Sequence, residues 1–202
     1  MKKFFWMFLL TISAGLIVAG CASAPTEEIN ATKAAVSAAQ TEDVQTYAPE
    51  SLKAAEEELN KALAEVQTQD AKFGLSRDYK KASELLKSAK DLAEKAVSDA
   101  QAAKAKCKAD AEALIASLPQ TIADAKAALA KAPRGKDTKA DIEAMQNDLK
   151  LAEESLNEAN QAMAQEKFKE ALTKATTAKD KATAIIDQVK QAQEKIKGGK
   201  KA

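Results

Sequence analysis

The chain contains no histidine, and among its 202 residues it has only two cysteines, one tryptophan, four prolines and six glycines. Each shortage excludes something. Without histidine the usual general base and the commonest metal ligand are missing. The glycines after residue 20 are Gly74, Gly135, Gly198 and Gly199, and none of them forms a Gly-rich phosphate loop. Aromatics are equally scarce. Beyond the first twenty residues they are Tyr47, Phe73, Tyr79 and Phe168, too few for a thick globular core. Arginine occurs twice, at Arg77 and Arg134. From residue 21 onward, 29 basic side chains (31 less Lys2 and Lys3) face 30 acidic ones, so charge gives no reason to expect nucleic acid as a partner.

What fills the chain is alanine, lysine, glutamate and leucine, the composition of long helices and coiled coils. The N-terminus is different. Lys2 and Lys3 precede the run FFWMFLLTISAGLIVA, and no charged residue follows until Glu27. A basic start, a short apolar middle and a small-residue end describe a secretory signal peptide over residues 1–20.

Leu16, Ile17, Val18, Ala19 and Gly20 run directly into Cys21. This arrangement resembles the lipobox of bacterial lipoproteins, with Val18, Ala19, Gly20 and Cys21 as its four positions. The resemblance implies cleavage between Gly20 and Cys21 and acylation of the Cys21 thiol. Small residues admit the peptidase to the backbone, and the thiol is the nucleophile that accepts the diacylglycerol. With Cys21 acylated, Cys107 is the single free thiol, and no intramolecular disulfide can form.

Apolar spacing predicts an all-α chain. Residues 21–29 read as a lipidated tether, and a short helix is expected from Asn30 to Gln40. Leu52, Ala55, Leu59, Ala62 and Val66 then step by three and four along one helical face. Pro49 and Glu50 suit the start of that helix. Gly74 ends it, and Ser76 is placed to cap the next. The following seam is Tyr79, Ala82, Leu86, Ala89, Ala93, Ala96, Ala100, Ala103 and Cys107, eight steps that alternate three and four. Ser117, Leu118 and Pro119 are expected to break it near Ala116. These positions delimit a first hairpin region at residues 30–116 and a short helix with a connecting loop at 117–137. A second hairpin follows at 138–197 and a basic tail at 198–202.

The second hairpin carries Ile142, Met145, Leu149, Ala152, Leu156, Ala159 and Met163, then a turn at QEK. Its last helix carries Phe168, Ala171, Ala175, Ala178, Ala182, Ile185, Val189, Ala192 and Ile196. LKAAEEELN at Leu52 matches LKLAEESLN at Leu149, and the Tyr79 seam matches the Phe168 seam position by position. The chain therefore reads as a duplicated helix–turn–helix unit. Alanine seams bring helix backbones close together. The expectation is elongated antiparallel hairpins forming a bundle or a coiled-coil-like rod, packed together or stacked end to end.

No enzyme, cofactor or metal site is expected. Glu56, Glu57 and Glu58, and likewise Glu153 and Glu154, lie among lysines at neighbouring turns and read as solvated face charges. Cys107 sits on a seam as a small apolar group, or else forms an intermolecular disulfide. Tyr79 and Phe168 occupy equivalent places at the hairpin turns, either to plug them or to recognise a partner. The terminal KIKGGKKA is a frayed tail, or a site for acidic headgroups or cell-wall carboxylates.

Residues from about Asn30 to Lys106, chiefly YAPESLKAAEEEL and RDYKKASELLKSAKDLAEKAVSDAQAAKAK, resemble a helical domain family of unknown function in bacterial envelope lipoproteins. Members of that family are sometimes fused to OmpA-like peptidoglycan-binding domains. The chain departs from the family pattern in the KFGLSR of its first loop, in its second hairpin and in lacking an OmpA-like domain. The resemblance implies an envelope role and supplies no active site. The expected function is that of a membrane-anchored structural or interaction protein, whose partner is an envelope protein, peptidoglycan or a second copy. The alternative is a helical-repeat carrier or sensor holding a lipid or peptide. Ala22 and Ser23 follow Cys21 with no aspartate, and by resemblance to sorted lipoproteins this favours the outer membrane, on its periplasmic face or the cell surface.

Overall fold

The computed structural model describes residues 23–135 and 138–199, with side chains through residue 196. The signal peptide, Val18, Ala19, Gly20, Cys21 and the end of the basic tail lie outside the described residues. Those described form six α-helices and one 3-10 turn, with no strand among them: α1 (Thr26–Ala39), α2 (Glu42–Tyr47), α3 (Pro49–Asp70), the turn Gly74–Ser76, α4 (Lys80–Ala130), α5 (Lys139–Ala164) and α6 (Phe168–Gly199). The fold is all-α.

The chain divides into two compact units, Met1–Asp99 and Ala100–Ala202. Helix α4 contributes one stretch to each unit.

In the first unit α3 and the start of α4 run antiparallel. Ser51 Oγ donates to Asp99 Oδ2 at 2.6 Å, and Lys81 Nζ meets Glu65 Oε2 at 2.9 Å. α1 completes a three-helix bundle. Thr32 Oγ1, fully inside, donates to the carbonyl of Leu86 at 3.2 Å, and Val36 and Ala39 are buried beside it in sequence. Helix α1 begins at Thr26, earlier than the expected Asn30, so the tether ends at Pro25. Pro25 supplies the N-cap position, and Glu27 and Glu28 complement the positive end of the helix. The short α2 is capped by the Thr41 hydroxyl, which accepts from the N–H of Val44 at 3.3 Å.

The second unit repeats this plan with the rest of α4, α5 and α6. Its core lies in successive layers. Ala111 meets Ala162 and Ala171; Leu118 meets Ala159, Ala175 and Ala178; Ile122, Ala125 and Leu129 meet Met145, Ala152, Ala182, Ile185 and Val189. In that order residue numbers rise along α4 and α6 and fall along α5. Gln193 Nε2 donates to the Lys131 carbonyl at 3.1 Å, and Lys181 Nζ meets Asp148 Oδ1 at 2.7 Å.

The duplication therefore involves three helices rather than two. Tyr79, Ala82, Leu86, Ala89, Ala93, Ala96 and Ala100 are all buried, as are their equivalents Phe168, Ala171, Ala175, Ala178, Ala182, Ile185 and Val189. Ala55 and Ala62 correspond in the same way to Ala152 and Ala159. The first helix has a counterpart too, because Thr32, Val36 and Ala39 share their spacing and burial with Leu118, Ile122 and Ala125.

That counterpart explains why α4 continues through Pro119, where a break was expected. Proline removes one helical N–H and crowds the preceding turn. Pro119 is exposed, however, so its ring projects away from the core, while Leu118 and Ile122 on either side are buried. Tertiary packing outweighs the local preference. Helix α6 includes the glycine pair near its end and is described as far as Gly199. Glycine weakens a helix by about 1 kcal/mol without forbidding it.

The α5–α6 turn falls at the expected QEK. Glu166 adopts a left-handed φ of 58°, and the N–H of Lys167 returns to the Ala162 carbonyl at 2.9 Å. This is the hydrogen-bond pattern that closes many helix C-termini, here with glutamate where glycine is usual.

Candidate functional site

The end of the first unit where the chain enters is the best-defined site. α1 and α4 both begin there and α3 ends there. Ala24 and Ile29 pack against Val66, Tyr79 and Ala82. The N–H of Thr26 donates to the Ala24 carbonyl at 2.8 Å and that of Ile29 to the Pro25 carbonyl at 2.9 Å. Ser23, Ala24 and Pro25 line one cleft together with Asp78, Tyr79 and Lys80. The segment that follows Cys21 by two residues is thereby fixed against the α3–α4 turn.

That turn is held by side chains. Arg77 donates from Nη2 to the Asp70 carbonyl at 2.9 Å and from Nε to the Lys72 carbonyl at 3.1 Å, satisfying acceptors left free at the end of α3. The Gln69 side chain, buried, accepts from the N–H of Asp78 at 3.1 Å and donates to Glu65 at 2.7 Å. The expected capping role of Ser76 passes to Asp78, whose Oδ1 accepts from the N–H of Lys80 at 3.0 Å. Ser76 Oγ is instead committed to the Phe73 carbonyl at 2.8 Å. Tyr79 is buried at the base of the turn, and its hydroxyl donates to Asp70. That hydrogen bond, followed by burial and the Asp70 charge, raises the phenol above its ordinary pKa. At the tip, Phe73 and Leu75 are 77% and 71% exposed, more than any other large hydrophobic side chain among the described residues.

Phe168 is buried at the corresponding turn of the second unit, with Lys108 Nζ 5.7 Å from its ring centroid. The structure keeps Tyr79 and Phe168 in separate cores. Cys107 is a free, half-buried thiol and, like Ala103, is less enclosed than the seam from Tyr79 to Ala100. Ile196, its counterpart in the repeat, is 46% exposed.

The acidic runs are not assembled into a centre. Glu56 accepts from Gln40 at 2.6 Å, Glu58 pairs with Lys61 at 3.0 Å, and Glu57 lies 4.0 Å from Lys53. Glu153 pairs with Lys126, and Glu154 lies 4.0 Å from Lys150. Among the described residues no group of three or more acidic or cysteine side chains could hold a metal ion. Clefts of about 470 and 510 Å³ occur, one between α1 and α4 and one where α5 begins. The first is lined by Ala31 and Thr32 with Glu28, Glu84, Lys87 and Lys90, so its wall is mostly apolar with charged groups among its lining.

Sequence reasoning singled out KFGLSR only as a departure from a family pattern. Two large apolar residues between Lys72 and Arg77 in a non-helical turn were the available signal. No protein-family model, curated protein or solved structure matches the chain.

Proposed function

We propose that this chain is a lipoprotein of the bacterial cell envelope, acylated at Cys21, that presents its helical units as a structural or protein-interaction body. The observation that carries this reading is the LIVAGC sequence ending a short apolar run, with the folded body starting almost at once after it. Two or more acyl chains hold a protein stably on a bilayer. Among the described residues no helix is long and apolar enough to cross a membrane.

Ala22 and Ser23 favour delivery to the outer membrane, with the body on its periplasmic face. The helix surfaces carry alternating lysine and carboxylate side chains, many paired three or four residues apart. Surfaces of this kind suit reversible contact with a polar partner, either another envelope protein or peptidoglycan. The role is read as non-catalytic because the acidic runs are dispersed, with Glu56 taken up by an amide and Glu58 and Glu153 by lysines.

The test is in-cell cross-linking of the tagged chain, with Cys21→Ser as the unanchored control and intact mass to count acyl chains. A mass increase matching acylation, together with one dominant envelope protein or peptidoglycan fragment lost in the control, is the expected result. A mature chain without acyl chains refutes the anchoring, and recovery of self-cross-links alone refutes the separate partner.

A further inference from the structure

Phe73 and Leu75 stand out because nothing in the first unit explains their exposure. Neither belongs to its core clusters, and a monomer gains nothing from holding a phenyl ring and an isobutyl group in water. The backbone beneath them is also unusually well tied, by the two Arg77 hydrogen bonds and the Ser76 hydroxyl. The tip is a built feature that projects apolar groups outward.

Its place in the fold says what covers it. Tyr79 closes the same turn and packs against Ala24, so the tip and the entry of the chain share one end of the unit. Cys21 precedes Ser23 by two residues, which span at most about 7 Å when extended. We infer that the Phe73–Gly74–Leu75 tip dips into the bilayer beside the acyl chains of Cys21, a second membrane contact made by the protein itself. The inference rests on the proposed acylation of Cys21.

The flanking chemistry suits a lipid surface. Lys72 and Arg77 flank the tip. The exposed Lys72 can place its cationic end in a phosphate headgroup layer while the apolar pair enters the acyl boundary. Arg77, held on the α3 carbonyls, keeps a positive charge at the base of the tip. Of the nearby acids, Asp70 accepts from the Tyr79 hydroxyl and Asp78 from the N–H of Lys80, while Glu27 and Glu28 stand exposed in the first turn of α1. Acyl chains alone tether a body without orienting it. A rigid apolar tip beside them fixes which end of the first unit faces the bilayer.

Trp6 is the only tryptophan of the chain and lies before Cys21, so a tryptophan placed at the tip reports alone in the mature protein. Phe73→Trp, at a site outside every core cluster, leaves the bundle intact. Leu151→Trp, on an exposed position of α5, is the comparator. Each full mature protein is reconstituted into phosphatidylethanolamine–phosphatidylglycerol vesicles, with and without acyl-brominated lipid, after intact mass has counted its acyl chains. The expected result is blue-shifted emission and loss of most intensity to brominated lipid for Phe73→Trp, with neither change for Leu151→Trp. An acylated Phe73→Trp protein whose emission stays red and unquenched overturns the tip contact and leaves the anchor standing. A blue shift without quenching assigns the tip to a contact with a second copy of the chain and overturns it too, as does equal quenching at both positions. A mature chain with no acyl group overturns the anchoring and this inference with it.

Discussion

If packing carries α4 through Pro119, removing that packing should be costly at one particular residue. Leu118 is fully buried in a layer with Ala159, Ala175 and Ala178, short side chains that cannot swing into vacated space, and the half-buried Leu114, Ile115 and Leu156 edge that layer. Leu118→Ala deletes three carbon groups, worth about 0.8 kcal/mol each in transfer, or about 2 kcal/mol. The cavity that the alanines cannot fill adds about 1–2 kcal/mol. The expected loss is about 3–4 kcal/mol, comparable to the roughly 3 kcal/mol by which proline disfavours a helix interior. Pro119→Ala should do the opposite, restoring one donor at an exposed site and raising stability by about 1–3 kcal/mol. Urea titrations of the Cys21→Ser chain, followed by far-ultraviolet circular dichroism, measure both. A loss below about 1.5 kcal/mol for Leu118→Ala, or a Pro119→Ala variant no more stable than its parent, would refute the argument that burial overrides the proline.

Three further outcomes are expected. Glu166→Gly relieves the left-handed φ of 58°, and the net gain after glycine's entropy is about 0.5–1 kcal/mol in the same titration. Ala182→Leu forces a larger side chain into a layer with Ala125, Ala152 and Ile185, and should lower stability by about 1–3 kcal/mol. The folded-state pKa of Tyr79 is raised, so its bond to Asp70 stabilises the fold fully below the ordinary phenol value and is lost as pH rises through the raised one. Thermal melts from pH 8 to 12 should therefore show an alkaline fall in the parent that Tyr79→Phe flattens; identical pH profiles would remove Asp70 as the partner.

The sequence made some of this legible and hid the rest for identifiable reasons. The seams starting at Tyr79 and Phe168 stood out because seven positions in each alternate by three and four and are all buried. The third helix of each repeat was obscured in two ways. In α1 the core positions are Thr32, Val36 and Ala39, only one of which reads as strongly apolar. Its counterpart in α4 contains Pro119, which local rules read as a stop even though its neighbours are buried. The seam was also followed only to Cys107, where the alternation slips: Cys107, Ala111 and Leu114 step by four and three, and Leu118 and Ile122 then by four and four. At the candidate site, Tyr79 was found from its seam position. The Arg77 and Asp78 stitching was not, because it depends on backbone acceptors and donors brought together only by the turn.

Between Ala100 and Ala111, α4 has no buried residue at all. Its hydrogen bonds there are sustained by alanine's own preference and by pairs such as Lys106 with Asp110 and Lys108 with Glu112. An isolated helical stretch of ten residues is only marginally stable in water. Those amides open and exchange ahead of the buried layers on either side. Trypsin, which requires a locally unfolded chain, should cut α4 first at Lys106 and Lys108, and a cut there leaves each of the two cores on a separate fragment.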